Sequence, residues 1–332
     1  MGEDGVSLPA EPFARNLLPR EHLAPSMTNP PGLLDFYERY GDEDACWQRL
    51  RQARWDEEGF TCPNCGEDEH WGLIQTRKLF QCHECGKQTS VTAGTILQDT
   101  KLDLTTWFLA AYLVYTAKNG ISSYDLARKL GTSQKTAYYL QQKLCSAISE
   151  QRGRHLFGLV EADDAFVGPA SNTQGRGTDK ETVLGLVENR EEQAGQVRLR
   201  HVPDGRNESL QPPIQEDVQE ASQVRTDNFR GYWSLHERGV EHDIVQPEDS
   251  ADMMSVLPWV HIVFGNLKRV LNGTHAKVSD RALQAYLDVF CFRFNRRGFL
   301  GQAVEEGIGA LVSSRPVLRD DLRQREVPWA AS

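Results

Sequence analysis

Four of the seven cysteines fall in two tight pairs, Cys62-Pro63-Asn64-Cys65 and Cys82-His83-Glu84-Cys85, and this arrangement limits the fold more than any other feature. With 16 residues between the pairs, the spacing suits four thiolates around one tetrahedral ion. Gly66 and Gly86 follow the pairs and let the chain turn so that sulfurs and backbone N–H groups face the metal. Trp71, Leu73, Ile74, Leu79 and Phe80 suit a hairpin between them. Four protein thiolates leave no open coordination position, so the expected ion is a structural Zn2+. Cys46, Cys145 and Cys291 stand alone, which points to metal usage in a reducing compartment and not to a disulfide framework.

A chain of 332 residues holds one large core and one or two smaller modules. The expected divisions are a mobile leader (1–30), a helical lead-in (31–58), the zinc ribbon (59–93), a helical module (94–152), an α/β domain (153–300) and a C-terminal tail (301–332). In the lead-in, Phe36, Tyr37, Tyr40, Cys46, Trp47, Leu50 and Trp55 recur at helix-like spacings. No apolar run approaches the roughly 20 residues a bilayer demands, and the N-terminus lacks a basic start followed by an apolar stretch, so a soluble intracellular protein is expected. The net charge of −10 weighs mildly against nucleic acid, so any DNA-binding surface must be local.

Such a surface is found between Ile121 and Tyr139, where one helical pattern closes at Gly131 and Thr132 or Ser133 opens the next. This is the layout of a helix-turn-helix, whose second helix would bring Gln134, Lys135 and Tyr138 to base edges and phosphates. Lys118, Arg128, Lys129, Lys135 and Lys143 face only Asp125 over this stretch. An ordinary helical bundle with a solvated basic face is the alternative.

After Gly153 the pattern turns to strands, at 155–168, 181–190 and 195–203, followed by a helix in PPIQEDVQEA, short strands at VRTD and HDIVQ, and closing helices at 257–271 and 279–297. A mixed sheet covered by helices is expected. Within the first strand Glu161, Asp163 and Asp164 interrupt an apolar run, where unpaired charge is costly and a counter-ion is needed. Asp227 ends a later strand and is placed to share a hard cation with them, the two-metal route to phosphoryl transfer. Taken alone, acidic strand ends also serve as turn caps.

The Trp-rich lead-in before CPNCG, CHECGKQTSVTAGTI, VEADDAFVG, VRTDNFRGY, LKRVLNGTHAKVS and LQAYLDVFCFRFNRR together resemble, in order from about Phe36 to Arg297, insertion-sequence transposases of the zinc-ribbon plus DDE-type family (ISXO2-like). The resemblance implies a ribonuclease-H-like catalytic domain. It also implies Mg2+- or Mn2+-dependent cleavage at terminal inverted repeats with strand transfer to target DNA, and a homo-oligomer joining two DNA ends. It makes Asp163 and Asp227 the first two catalytic carboxylates and metal ligands, with Asp164 where the family usually has Glu.

The family's third position is a Glu seven residues before a Lys, two helical turns apart on one face. Here Lys268 is in place and position 261 is His. His261 is therefore the third candidate ligand or a proton shuttle, and a neutral imidazole favours a manganese-tolerant site. Asn266 faces elsewhere on an ideal helix. Lys268 and Arg269 are read as phosphate contacts, and Arg293, Asn295, Arg296 and Arg297 as a second basic strip. Two alternatives remain: a catalytically decayed, transposase-derived DNA-binding protein, and a nuclease or resolvase outside mobile elements.

Overall fold

The computed structural model describes residues 32–55, 59–149, 153–168, 180–233, 235–238, 240–246, 256–274 and 278–324. The expected leader, 1–30, lies outside them. Two short helices, α1 (Leu33–Tyr40) and α2 (Glu43–Trp55), lead into an antiparallel sheet of β1 (Trp71–Ile74), β2 (Leu79–Cys82) and β3 (Gln88–Ser90). The hairpin pairs Ile74 with Leu79, and Lys78 takes up the left-handed φ of 50° that closes it. Phe80 is buried at the centre, stacked on Phe60 at 5.2 Å and met by Trp55 at 4.3 Å. The tryptophans of α2 thus form part of the ribbon's core.

Three helices follow, α3 (Leu104–Thr116), α4 (Ser123–Leu130) and α5 (Gln134–Ser149). Ser122 Oγ accepts the Asp125 N–H at 3.1 Å to cap α4, and Gly131 closes it at φ 65°. Ser133 Oγ accepts the Thr136 N–H at 3.1 Å and starts α5.

The sheet domain comprises β4 (Leu159–Val167), β5 (Glu181–Arg190), β6 (Gln193–Val202), α6 (Asn207–Asp217), β7 (Gln223–Thr226), β8 (Glu241–Ile244), α7 (Pro258–Thr274) and α8 (Asp280–Asn295). Its strand order is β6-β5-β4-β7-β8, with β4, β5 and β6 antiparallel neighbours and β7 and β8 running parallel to β4. A three-strand meander extended by two parallel strands, with helices on both faces, is the ribonuclease-H-like arrangement. One face packs α7 and α8 onto Ala165, Val167, Val183 and Val187; the other packs α6 onto Val160, Ala162, Leu184 and Leu186.

Three expectations are corrected. The helix expected at 212–221 spans Asn207–Asp217 and contains Pro212 and Pro213 in its interior. It stops at Asp217 because the chain there enters a parallel bridge, with the Leu156 N–H on Asp217 O and the Gln219 N–H on Leu156 O, both at 2.8 Å. The expected tail at 301–332 instead contains α9 (Leu300–Ser313) and α10 (Arg319–Gln324). Ala303, Val304, Ile308 and Leu311 of α9 are buried in one continuous core with the ribbon and α3 to α5. Gly307 sits where α9 crosses the Tyr115 ring, and a Cβ there would lie 2.3 Å from that ring.

The Arg-rich strip at the end of α8 is the third correction. Arg296 pairs with Glu306 of α9 at 2.5 Å and lies over the Phe292 ring at 3.9 Å. Arg293 donates to Lys118 O and Arg297 to Ala194 O, while Asn295 exchanges hydrogen bonds with the Val197 backbone. These side chains clamp α8 to β6, α9 and the helical module, so Arg296 is engaged in contacts within the fold.

Candidate active site

Side chains alternate across a strand, so Glu161 and Asp163 of β4 share the face covered by α7, while Asp164 faces the opposite side. Asp164 accepts a hydrogen bond from the hydroxyl of fully buried Tyr232 at 3.2 Å. Asp163 is paired with Gly185 of β5 in the sheet register. A Cβ at Gly185 would lie 2.7 Å from Phe264 Cζ and 3.0 Å from Val260 Cγ2. The missing side chain is what lets α7 lie close against the sheet beside Asp163. Gly185→Val is expected to push α7 outward and to lower stability by about 1–3 kcal/mol, read by thermal denaturation; an unchanged melting temperature would show that α7 does not depend on this contact.

His261, in the first turns of α7, brings Nδ1 to 3.7 Å from Asp163 Oδ2. This is an electrostatic approach and too long for a hydrogen bond. Burial pushes the Asp163 carboxyl up to about 8, and the charges of Asp164 and Asp227 push the same way, against the Asp164 N–H and Lys268. Burial lowers the His261 imidazole from its usual range, with Asp227 opposing and Lys268 reinforcing the shift. The imidazole is therefore neutral near pH 7, and its Nε2 is buried without a hydrogen-bond partner. Asp227, just beyond β7, accepts the Phe229 N–H at 3.0 Å through Oδ1. Asp163, Asp227, His261 and Lys268 thus interact from three separate elements, although the three ligand candidates do not all lie within 4.8 Å of one another. Crowded carboxylates beside a neutral imidazole with an orphaned nitrogen are a donor set that suits a divalent cation. Lys268 and Arg269 are exposed on α7, and Arg269 donates to Asn266 at 2.9 Å.

In the ribbon, Cys62, Cys65, Cys82 and Cys85 bring their sulfurs within 4.8 Å of one another. The Cys62–Cys85 and Cys65–Cys82 sulfurs are 3.6 Å apart. Thiolates about 2.3 Å from a tetrahedral centre would be roughly 3.8 Å apart, so the residues fit zinc. Gly66 and Gly86 follow the pairs at φ 78° and 70°, as the turns at both knuckles require.

On the helix-turn-helix segment Lys135 is exposed at the start of α5 and Lys129 pairs with Asp125 at 3.6 Å. Gln134 donates to Ser123 Oγ at 2.9 Å, and Tyr138 packs against Tyr139. From Leu140 to Ile148 most of α5 is buried, which leaves only its first turns for a ligand. Lys143 is turned inward, donating to Ile96 O over the Trp107 ring, and leaves the basic face.

Residues 155–295 match the ISXO2-like transposase domain and residues 41–88 the transposase zinc-ribbon domain. The chain thus carries an ISXO2-like transposase domain and a transposase zinc ribbon. A relative from Halobacterium salinarum, described as an uncharacterized protein in transposable element ISH50, is 26% identical over 204 residues, covering 57% of this chain and 68% of the relative. Among solved structures, the Mos1 transposase paired-end complex with left transposon end is 12% identical at a TM-score of 0.29, covering 63% of this chain and 79% of that one. The Mos1 strand transfer complex is 11% identical at a TM-score of 0.30, covering 64% and 79%.

The zinc-ribbon match begins within the lead-in, in keeping with the packing of α2 on Phe80. The partners of Glu161 on β4 were missed in the sequence reading. Glu161 holds backbone N–H groups of α7, and the available signal was its placement two residues from Asp163 on the same strand face. No helix among the described residues is long and apolar enough to cross a membrane.

Proposed function

We propose that this chain is a working transposase. It binds the terminal inverted repeats of its insertion sequence, cleaves them in a metal-dependent reaction and transfers the freed 3'-ends to target DNA. The observation that supports this most is the interaction of Asp163, Asp227, His261 and Lys268 beside a neutral imidazole nitrogen with no partner. Asp163, Asp227 and His261 would hold Mg2+ or Mn2+, with Mn2+ favoured by the imidazole. Cations held there supply the Lewis acid that activates the attacking water and stabilises the leaving oxygen.

Asp163 and Asp227 would orient and charge-balance such cations, and the pairing of β4 with β5 and β7 holds the carboxylates in place. Lys268, two turns from His261, holds the phosphate being cut, and Arg269 an adjacent one. The four cysteines hold the structural zinc that keeps the ribbon folded. The protein acts on chromosomal DNA in the cytoplasm, as a homo-oligomer that joins two ends.

The test is cleavage of a labelled duplex carrying the element's own terminal repeat, with Mg2+ and with Mn2+, by the intact protein and by Asp227→Ala. Metal-dependent nicking and strand-transfer products that disappear in the variant support the reading. Repeat-specific binding without nicking under either metal overturns it in favour of a decayed DNA-binding relative, as would nicking that appears only in His261→Glu.

For the DNA face, Lys135→Ala is expected to weaken binding uniformly across sequences and to reduce the salt slope of log affinity by about 1. Fluorescence anisotropy between roughly 50 and 200 mM salt checks this; an unchanged slope would remove α5 from the DNA interface.

A further inference from the structure

We infer that Glu161 is a positioning residue of the metal centre, fixing the start of α7 to β4 so that His261 stays opposite Asp163; this rests on the divalent-metal reading above. Glu161, the third residue of β4, is fully buried. One carboxylate oxygen, Oε2, accepts both the Trp259 N–H at 2.8 Å and the Val260 N–H at 2.9 Å. The other, Oε1, accepts Asn189 Nδ2 at 2.7 Å. Helix α7 begins at Pro258, which has no N–H, so Trp259 and Val260 supply the first donors the helix end has to offer. Burial still raises the Glu161 carboxyl, and the positive end of the helix dipole and three N–H groups offset part of that cost.

The placement is what separates orientation from plain stability. Glu161 lies two residues from Asp163 on the same face of β4, and its two helix donors directly precede His261. The contact therefore joins strand and helix immediately beside the Asp163–His261 pair, across 98 residues of sequence. A buried charge could stabilise the fold at many points along α7; here it sits in the turn whose rotation sets the imidazole.

Glu161→Gln keeps the size and one acceptor. Its amide nitrogen would then face Asn189 Nδ2, a donor. Asn189 cannot simply flip, because its Oδ1 already accepts the Glu191 N–H at 2.8 Å. The double variant Glu161→Gln/Asn189→Asp restores a donor facing an acceptor.

The experiment measures Mn2+ binding to the zinc-loaded full chain by the EPR signal of free Mn2+, with Asp163→Ala defining the site. Glu161→Gln is expected to weaken that binding roughly 10- to 100-fold, and the added Asn189→Asp to recover most of it. In a His261→Ala background Glu161→Gln should have little further effect, the non-additivity of residues acting through one another. Where the Gln variant does not fold, Glu161→Asp carries the same test, since its shorter carboxylate draws α7 out of place. Mn2+ binding that is undiminished, or that falls equally with and without His261, overturns the inference while the metal site stands. Absence of any Asp163-dependent Mn2+ binding in the intact chain overturns the metal-site reading and this inference together.

Discussion

Asp163→Asn is expected to abolish strand cleavage, by at least roughly 10³-fold, and at the same time to make the cation-free protein more stable. The opposing signs follow from one fact: burial, with Asp164 and Asp227 nearby, pushes the Asp163 carboxyl up to about 8 from a usual value of 3.8. The folded-state value lies above the unfolded one. The neutral carboxyl therefore contributes stability that is fully present below about pH 4 and lost as the pH rises through 8. At about pH 8.5 the ionised group costs the fold on the order of 5 kcal/mol, and an asparagine side chain does not incur that cost. The substituted amide retains an oxygen to accept the Asp164 N–H, which Asp163 Oδ1 now holds at 2.8 Å.

In buffer freed of loose divalent ions over a chelating resin, which leaves a thiolate-bound zinc in place, the variant should melt above the parent at about pH 8.5. The gap should close toward about pH 4. Addition of Mn2+ at about a hundredfold excess over its dissociation constant should stabilise the parent by about 2.7 kcal/mol and leave the variant unmoved. A variant less stable than the parent at every pH would mean that the Asp163 charge is already compensated inside the fold, and the case for a cation there would be lost.

What could be read in advance was whatever depends on local period and spacing. Strand β5 is a short, nearly continuous apolar run with Glu181 at one end and Glu188, Asn189 and Arg190 at the other, so its limits, 181 and 190, are visible in the residues themselves. The seven-residue step from His261 to Lys268 puts both on one face of any α-helix. The unread features depend on partners far away in the chain. Arg296 looks the same in sequence whether it meets a phosphate or Glu306, and only the packing of α9 on α8 decides. The segment from 301 onward reads as a tail until Gly307 is seen against Tyr115. Pro212 and Pro213 suggest a helix start, yet the helix begins at Asn207, where Asp204 Oδ1 takes the Arg206 N–H and the Ser209 hydroxyl. Glu161 shows the limit most sharply. The cost of its burial was evident, but its counter-charge turned out to be the end of a helix and not a cation.

Removal of zinc is expected to unfold the ribbon and loosen the helices packed on it while the five-stranded sheet persists. Strands of 4, 4 and 3 residues cannot hold a sheet unaided, and structural zinc contributes apparent binding energies of about 10–16 kcal/mol, comparable to the whole stability of a domain. Three of the chain's seven tryptophans, Trp47, Trp55 and Trp71, surround Phe80, so their emission should shift to the red as the cluster opens. The effect should spread along a defined route. Tyr40 and Arg49 bond Glu305 at 2.6 and 2.9 Å, tying the lead-in helices to α9, whose apolar side is continuous with the ribbon core. The sheet has separate cores on its two faces, built from α6, α7 and α8, and should melt as a second step. Titration of the thiols with an organic mercurial, with released zinc followed by a colorimetric chelator, should give one zinc per chain. Cys82→Ser should reproduce the red shift and the early melting step without the reagent. A zinc-free protein that keeps blue-shifted emission and melts in a single unaltered step would show that the aromatic cluster alone holds the ribbon, and that the four thiolates are not its structural support.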